Sequence, residues 1–152
     1  MAIASVLTDT FKEELLQAGH NFGASGDTPA GDAFKIALYD NSASMGTTTT
    51  VYSASDEVSG SGYSAGGNAL TNTGVGTTTV TSFTDFSDTS WTSASFTARG
   101  CLIYNTDVLS GFTTNRSVCT IDFGGDKTVS SGTFTIQFPT NDASDAIIRI
   151  TS

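Results

Sequence analysis

The chain has 152 residues, among them 15 acidic and 6 basic side chains, for a net charge of −9. So few scattered cations cannot assemble the basic patch that phosphate contacts need, which argues against nucleic acid as a direct partner. Abundant Ser, Thr and Gly with few charges suit short strands and tight turns, and they exclude a helical bundle.

In chain order, Met1–Leu7 is a small apolar stretch, unusual for a free tail. Asp9, Glu13 and Glu14 interrupt it too early for a signal peptide, and no basic residues precede it. No run approaches the ~20 apolar residues of a membrane span. The expectation is therefore a soluble chain made without an export signal of its own and without a membrane partner. Thr10-x-x-Glu13 reads as a capping box, Leu7, Phe11, Leu15 and Ala18 fall at helical spacing, and Gly19 fits a C′ residue. A helix of about ten residues is too short to stand alone, so its apolar stripe needs a surface to pack on.

After the Gly- and Pro-containing loop His20–Gly31, Phe34–Asp40 reads as a strand. Phe34, Ile36 and Leu38 point inward, and Lys35, Ala37 and Tyr39 lie on the other face. Thr47–Tyr52 is β-prone, Asp56–Gly67 is a loop, and short strands are predicted near Asn68–Asn72, Thr77–Phe83 and Phe83–Phe86. The centre of the pattern is Thr97–Asn105, led in by Trp91 and Phe96. Phe96, Ala98, Gly100, Leu102 and Tyr104 alternate with Arg99, Cys101 and Ile103, so both faces are apolar and the strand is central. Ser117–Phe123 follows, with Cys119, Ile121 and Phe123 on one face. Gly124-Gly125-Asp126-Lys127 is predicted to turn the chain, Thr133–Phe138 alternates clearly, and Ala146–Thr151 closes the fold. Eight to ten short strands at this spacing predict an all-β fold, an antiparallel β-sandwich or jelly roll with one short N-terminal helix. Residues 1–19 form the arm and helix, and residues 20–152 the sandwich domain.

Four blocks, Phe34-Lys-Ile-Ala-Leu-Tyr39, Glu57-Val-Ser-Gly-Ser-Gly-Tyr-Ser-Ala-Gly-Gly67, Ala98-Arg-Gly-Cys-Leu-Ile-Tyr-Asn105, and Asp122-Phe-Gly-Gly-Asp-Lys127 with Ala146-Ile-Ile-Arg-Ile150, resemble in order and wording small virion structural proteins of tailed bacteriophages. Within that class the chain is similar to capsid decoration, or cement, proteins. The resemblance implies a non-enzymatic module on the phage head surface. Such a module is assembled in the host cytoplasm, often as a homotrimer, and stabilises the head by bridging subunits of the major capsid protein. It carries over no catalytic residue and no cofactor, and it leaves the N-terminal helix outside its blocks. A receptor- or glycan-binding module of a tail spike or fibre is the rival reading.

The residues that chemistry would need fit this frame. His20 is the only histidine and lies in a Gly-rich loop with no nucleophile elbow, so it reads as an exposed loop residue. Asp56 and Glu57 are adjacent and, in an extended stretch, point to opposite faces, so they cannot flank one glycosidic bond. Asp85/Asp88, Asp122/Asp126 and Asp142/Asp145 lack the spacing of a Ca²⁺ loop and read as turn carboxylates. Trp91 reads as core rather than as part of an aromatic platform with Tyr52, Tyr63 and Tyr104. Cys101 and Cys119 sit on neighbouring strands; a bridge is geometrically possible, and buried thiols are the simpler reading. The apolar arm and stripe, Ile3, Val6, Leu7, Phe11 and Leu15, are expected to meet another subunit, the alternative being that they plug an open end of their own sandwich.

Overall fold

The computed structural model describes residues 2–152; Met1, the start of the predicted arm, lies outside the described residues. Eight strands and one helix form two antiparallel sheets facing each other. The strands are β1 (Val6–Leu7), β2 (Phe34–Tyr39), β3 (Asn68–Leu70), β4 (Asn72–Thr77), β5 (Thr81–Phe86), β6 (Thr89–Asn105), β7 (Arg116–Ile136) and β8 (Ile148–Thr151), with helix α1 at Asp9–Leu16. The larger sheet runs β1-β7-β6-β2-β3 and the smaller β4-β5-β8.

Two of the strands are far longer than the predicted short runs. β6 has 17 residues and β7 has 21, and together they make one long hairpin. The predicted turn at Gly124–Lys127 is a bulge inside β7. Ala98 pairs with Lys127 while Gly100 pairs with Asp122, so the extra residues loop out and the ladder resumes beyond them. Gly124 takes φ +73 there, a conformation that costs glycine no steric penalty. This bulge also revises the face assignment of β6. Phe96 and Ala98 face the smaller sheet, but beyond the irregularity Cys101 and Ile103 do so, while Leu102 and Tyr104 turn to the opposite side. A simple period of two fails because the pleat slips at the bulge. β6 is nonetheless central, as predicted, and every residue from Gly100 to Asn105 is buried.

The main core fills the space between the sheets. Phe34, Ile36 and Leu38 of β2 meet Phe86 and Ile148 of the smaller sheet, with Phe11 and Phe22 sealing one end. Phe22 stacks on Phe34 at 4.6 Å, and Phe34 lies 5.5 Å from Phe86. On the other face of the large sheet, Ala37, Tyr39, Leu102 and Tyr104 pack against Ile3, Ala43, Met45 and Tyr52. The connection between β2 and β3 therefore acts as a third layer. Thr47–Tyr52 belongs to this layer, and its β-like contact is a single bridge from Val51 to Arg116. The return into β3 requires Gly67, which has φ +67, because a Cβ there would collide with the Ile36 carbonyl.

Helix α1 begins two residues earlier than the predicted capping box. Thr8, not Thr10, is the N-cap, and its Oγ1 accepts from the Phe11 amide at 3.3 Å. That start turns Phe11 into the core, where it is 1% exposed. At the far end Gly19 donates to Glu14 O at 2.7 Å and Ala18 to Leu15 O at 3.2 Å. Ala18 takes the left-handed position (φ 58), and Gly19 is needed for space instead, since a Cβ would press on the Phe112 ring.

Candidate functional site

Three features concentrate the polar and aromatic chemistry of the molecule. The first lies where α1, the loop after it and the turn between β6 and β7 converge. His20, predicted as exposed, is buried there with its side chain wholly inaccessible. The loop folds back because Phe22, two residues on, is drawn into the aromatic core. Asn105 Nδ2 donates to Asp32 Oδ2 at 2.6 Å and lies 3.1 Å from His20 Nδ1. An amide nitrogen has only hydrogens to offer, so Nδ1 accepts and the ring proton sits on Nε2. Nε2 donates to Glu14 Oε2 at 2.9 Å. Burial first, and the nearby Arg116 charge second, lower the His20 pKa to about 4, so at neutral pH this contact is a hydrogen bond to a neutral ring.

Arg116, 1% exposed, completes the cluster. It donates to the carbonyls of Gly19 (2.7 Å), Asp107 (3.0 Å) and Thr113 (3.2 Å), and its guanidinium lies over the Phe112 ring at 5.4 Å. Its Nε is 3.7 Å from Glu14 Oε2, too long for a hydrogen bond but close enough for charge attraction. Burial raises the Glu14 pKa, and Arg116 partly offsets that rise. The geometry positions a buried cation against backbone carbonyls and pins helix to hairpin. Arg116 carried no functional signal in the sequence; its position directly before the predicted strand Ser117–Phe123 was the only cue.

The second feature gathers all four tyrosines around Glu57: Tyr39, Tyr52 and Tyr104 belong to the cluster on the outer face of the large sheet, and Tyr63 packs with Trp91 and Phe96 of the inter-sheet core. Glu57 accepts from the Tyr52 and Tyr63 hydroxyls at 2.6 Å each and from the Gly66 amide at 2.7 Å. Tyr104 donates to Gly66 O at 2.8 Å, Tyr39 to Ser53 O at 2.6 Å, and the Leu38 amide donates to Tyr63 Oη at 2.9 Å. Burial, and then the Glu57 charge, push the Tyr104 pKa up to about 12, and Tyr39, Tyr52 and Tyr63 are raised as well. Glu57 is thus the acceptor that fixes the layer, while Asp56 stands exposed at φ 59.

The third feature is an apolar hollow of about 540 Å³ at one open side of the two sheets, lined mainly by β7 side chains. Cys101 borders it. Cys101 and Cys119 are both buried free thiols, with burial holding the first well above the usual range and the second at about 12.

The remaining predicted positions have structural partners. Trp91 is core, 3% exposed. Asp85 is buried and accepts from the Phe86 and Ile147 amides, Asp122 pairs with Arg99 at 2.9 Å, and Asp142 accepts from Ser144 and Asp145. Among the described residues, no three His, Cys, Asp or Glu side chains gather in a metal-binding arrangement.

Of the five side chains expected to meet another subunit, two are buried and three are half-buried. Ile3 and Phe11 are buried within their own chain, Ile3 beside Leu102 and Tyr39, so neither has surface left for a partner. Val6 and Leu7 are half-buried and pair with Thr120 and Cys119 on the edge of β7, and Leu15 packs against the inter-sheet core. The apolar stripe fits the intramolecular plug because Thr8 capping rotates Phe11 inward. The apolar helix residue left outside is Leu16, 91% exposed. No helix among the described residues is long and apolar enough to cross a membrane. No family model, curated protein or solved structure matches the chain.

Proposed function

We propose that the chain is a non-enzymatic structural protein of a bacteriophage virion, a capsid decoration protein that bridges neighbouring major capsid subunits on the outer surface of the head. The observation that carries the non-enzymatic half is the state of the reactive side chains. His20 is sealed from solvent, Glu57 is saturated by three donors, and Arg116 is spent on backbone carbonyls. A general base must reach the proton it takes, and none of these groups faces a cavity. The four blocks that resemble virion proteins support the other half. They lie on β2, the Glu57 layer, β6, and the β7 bulge with the lead-in to and most of β8, so they fall largely within the two sheets and the layer over them.

A rigid module binds a lattice with little ordering cost. With Ile3 and Phe11 internal, the contact falls to exposed apolar side chains at the end where α1 meets the β6–β7 loop. Gly19 adjoins Phe112 there, and Leu16, Val108 and Leu109 are 91%, 80% and 42% exposed. A homotrimer is part of this proposal. The rival glycan-binding reading lacks comparable support, because Trp91 is buried and the tyrosine hydroxyls are held internally.

Cryo-electron microscopy of the intact particle tests the reading. Density for this fold is expected on the outer head, at junctions of major capsid subunits. Its absence from purified particles, or turnover of a polysaccharide or ester by the pure protein that is abolished at His20 or Asp56, would refute the proposal.

A further inference from the structure

Lys127 occupies a position that a lysine seldom takes. It pairs with Ala98 across the β6–β7 ladder, and directly paired residues of an antiparallel sheet share a face. Ala98 is fully buried in the inter-sheet core, and the next inward pair, Phe96 with Val129, belongs to the same core. Lys127 therefore stands on the inner face, at the rim of the apolar hollow of about 540 Å³ lined by Ile121, Phe123, Phe134, Ile136 and Phe138. That volume lies in the range of small-molecule sites, roughly 300–1,000 Å³. A second hollow of about 300 Å³ shares Ile121 and Ile147 with the first and continues past Val6 and Leu7, which makes the apolar path elongated.

The charges are as informative as the shape. The chain has fifteen carboxylate side chains, yet among the described residues none lines the main hollow, Asp126 included. The ion pairs of the described residues engage Lys12, His20, Arg99 and Arg116 and leave Lys127 without an anion. An apolar trough with one unpaired ammonium at its rim complements an amphiphile with a hydrocarbon tail and an anionic head. We propose that this groove binds a long-chain carboxylate, with the tail along Phe123, Phe134, Ile136 and Phe138 and the headgroup on Lys127 Nζ. This inference is independent of the virion reading.

A competing account exists for the same lysine. From Phe123 onward β7 has β6 on one side and, among the described residues, no strand on the other, since β1 covers only Cys119 and Thr120. An inward-pointing charge on such an edge deters edge-to-edge pairing. Calorimetric titration of the full chain separates the two. Dodecanoate and dodecyltrimethylammonium, below their micellar concentrations, and dodecanol, below its solubility limit, are each added to the parent protein and to Lys127→Met and Lys127→Gln, with sedimentation velocity run in parallel. Saturable one-to-one binding of dodecanoate is expected, about tenfold weaker binding of the alcohol and none of the cation. Either variant should lose about tenfold for dodecanoate and nothing for dodecanol. The proposal is overturned by no saturable binding to the parent protein, by equal affinity for the three headgroups, or by variants that self-associate while keeping their dodecanoate affinity.

Discussion

The buried neutral His20 makes a sharp demand on stability at mildly acid pH. In the unfolded chain its imidazole titrates at 6.5, whereas in the fold burial and Arg116 lower the pKa to about 4. Between those values the unfolded state binds a proton that the native state refuses, so stability rises with pH and falls as pH drops. The contribution is intact above 6.5 and is lost as pH falls towards 4. At about 1.4 kcal/mol per pH unit, the whole interval is worth about 3 kcal/mol, a large share of the total stability of a single domain. Glu14 and Asp85, whose pKa values are raised by burial, work in the opposite direction. The readout is therefore a difference. Urea unfolding of the parent protein and of His20→Gln from pH 7 to pH 4 should show the variant starting less stable and then converging on the parent by about 3 kcal/mol. The imidazole resonances of the native protein should titrate near 4. A native midpoint at or above 6.5, or a stability gap independent of pH, would refute the reasoning.

Three further outcomes follow from the same contacts. Glu57→Ala strands two tyrosine hydroxyls and the Gly66 amide in a half-buried layer, and urea unfolding should register a loss of about 2–4 kcal/mol. At alkaline pH the native tyrosines hold protons that unfolded tyrosines release above 10, so stability declines as pH rises past 10. Absorbance should then show the tyrosinates appearing together with unfolding, not in separate native titrations, with Tyr104 resisting to about 12. Deleting residues 1–19 removes Phe11, worth about 1.5–3 kcal/mol by burial alone, and takes the Gly19 carbonyl from a buried guanidinium. Calorimetry should find no cooperative transition; a truncated domain that still melts sharply would return the arm to the role of a subunit contact.

Sequence patterning reached the fold class because alternation survives wherever the ladder is regular. Phe34, Ile36 and Leu38 face the inter-sheet core, Ala37 and Tyr39 face away, and Cys119, Ile121 and Phe123 share one side, all as their spacing predicts. It failed where the backbone breaks its own period. Gly124-Gly125-Asp126-Lys127 carries the composition of a turn, and nothing local distinguishes a turn from a bulge whose flanking residues are already paired to β6. The Thr8 cap was hidden by a second threonine two residues later with a glutamate at the favoured spacing. The polar clusters were the least legible. His20, Asn105, Asp32 and Arg116 are separated by up to 96 positions, and only the closing of the sheet brings them together. Lys127 became noticeable only once its pairing with Ala98 placed it on the inner face.

The pairing of β1 with β7 joins Val6 to Thr120, and Thr8 and Ser117 share a hydrogen bond, so the first elements of the chain are completed by some of the last. During synthesis, the β7 partners of Val6, Leu7 and Thr8 emerge only after more than a hundred further residues. The β6–β7 hairpin, by contrast, closes over a loop of ten residues and can form as soon as it is made. Folding is thereby ordered from the centre of the chain outward, with β2 joining the hairpin and the amino-terminal arm docking after it. A translational pause before β7 would lengthen the time that the arm stays open to aggregation or chaperone capture, whereas a pause after it would not.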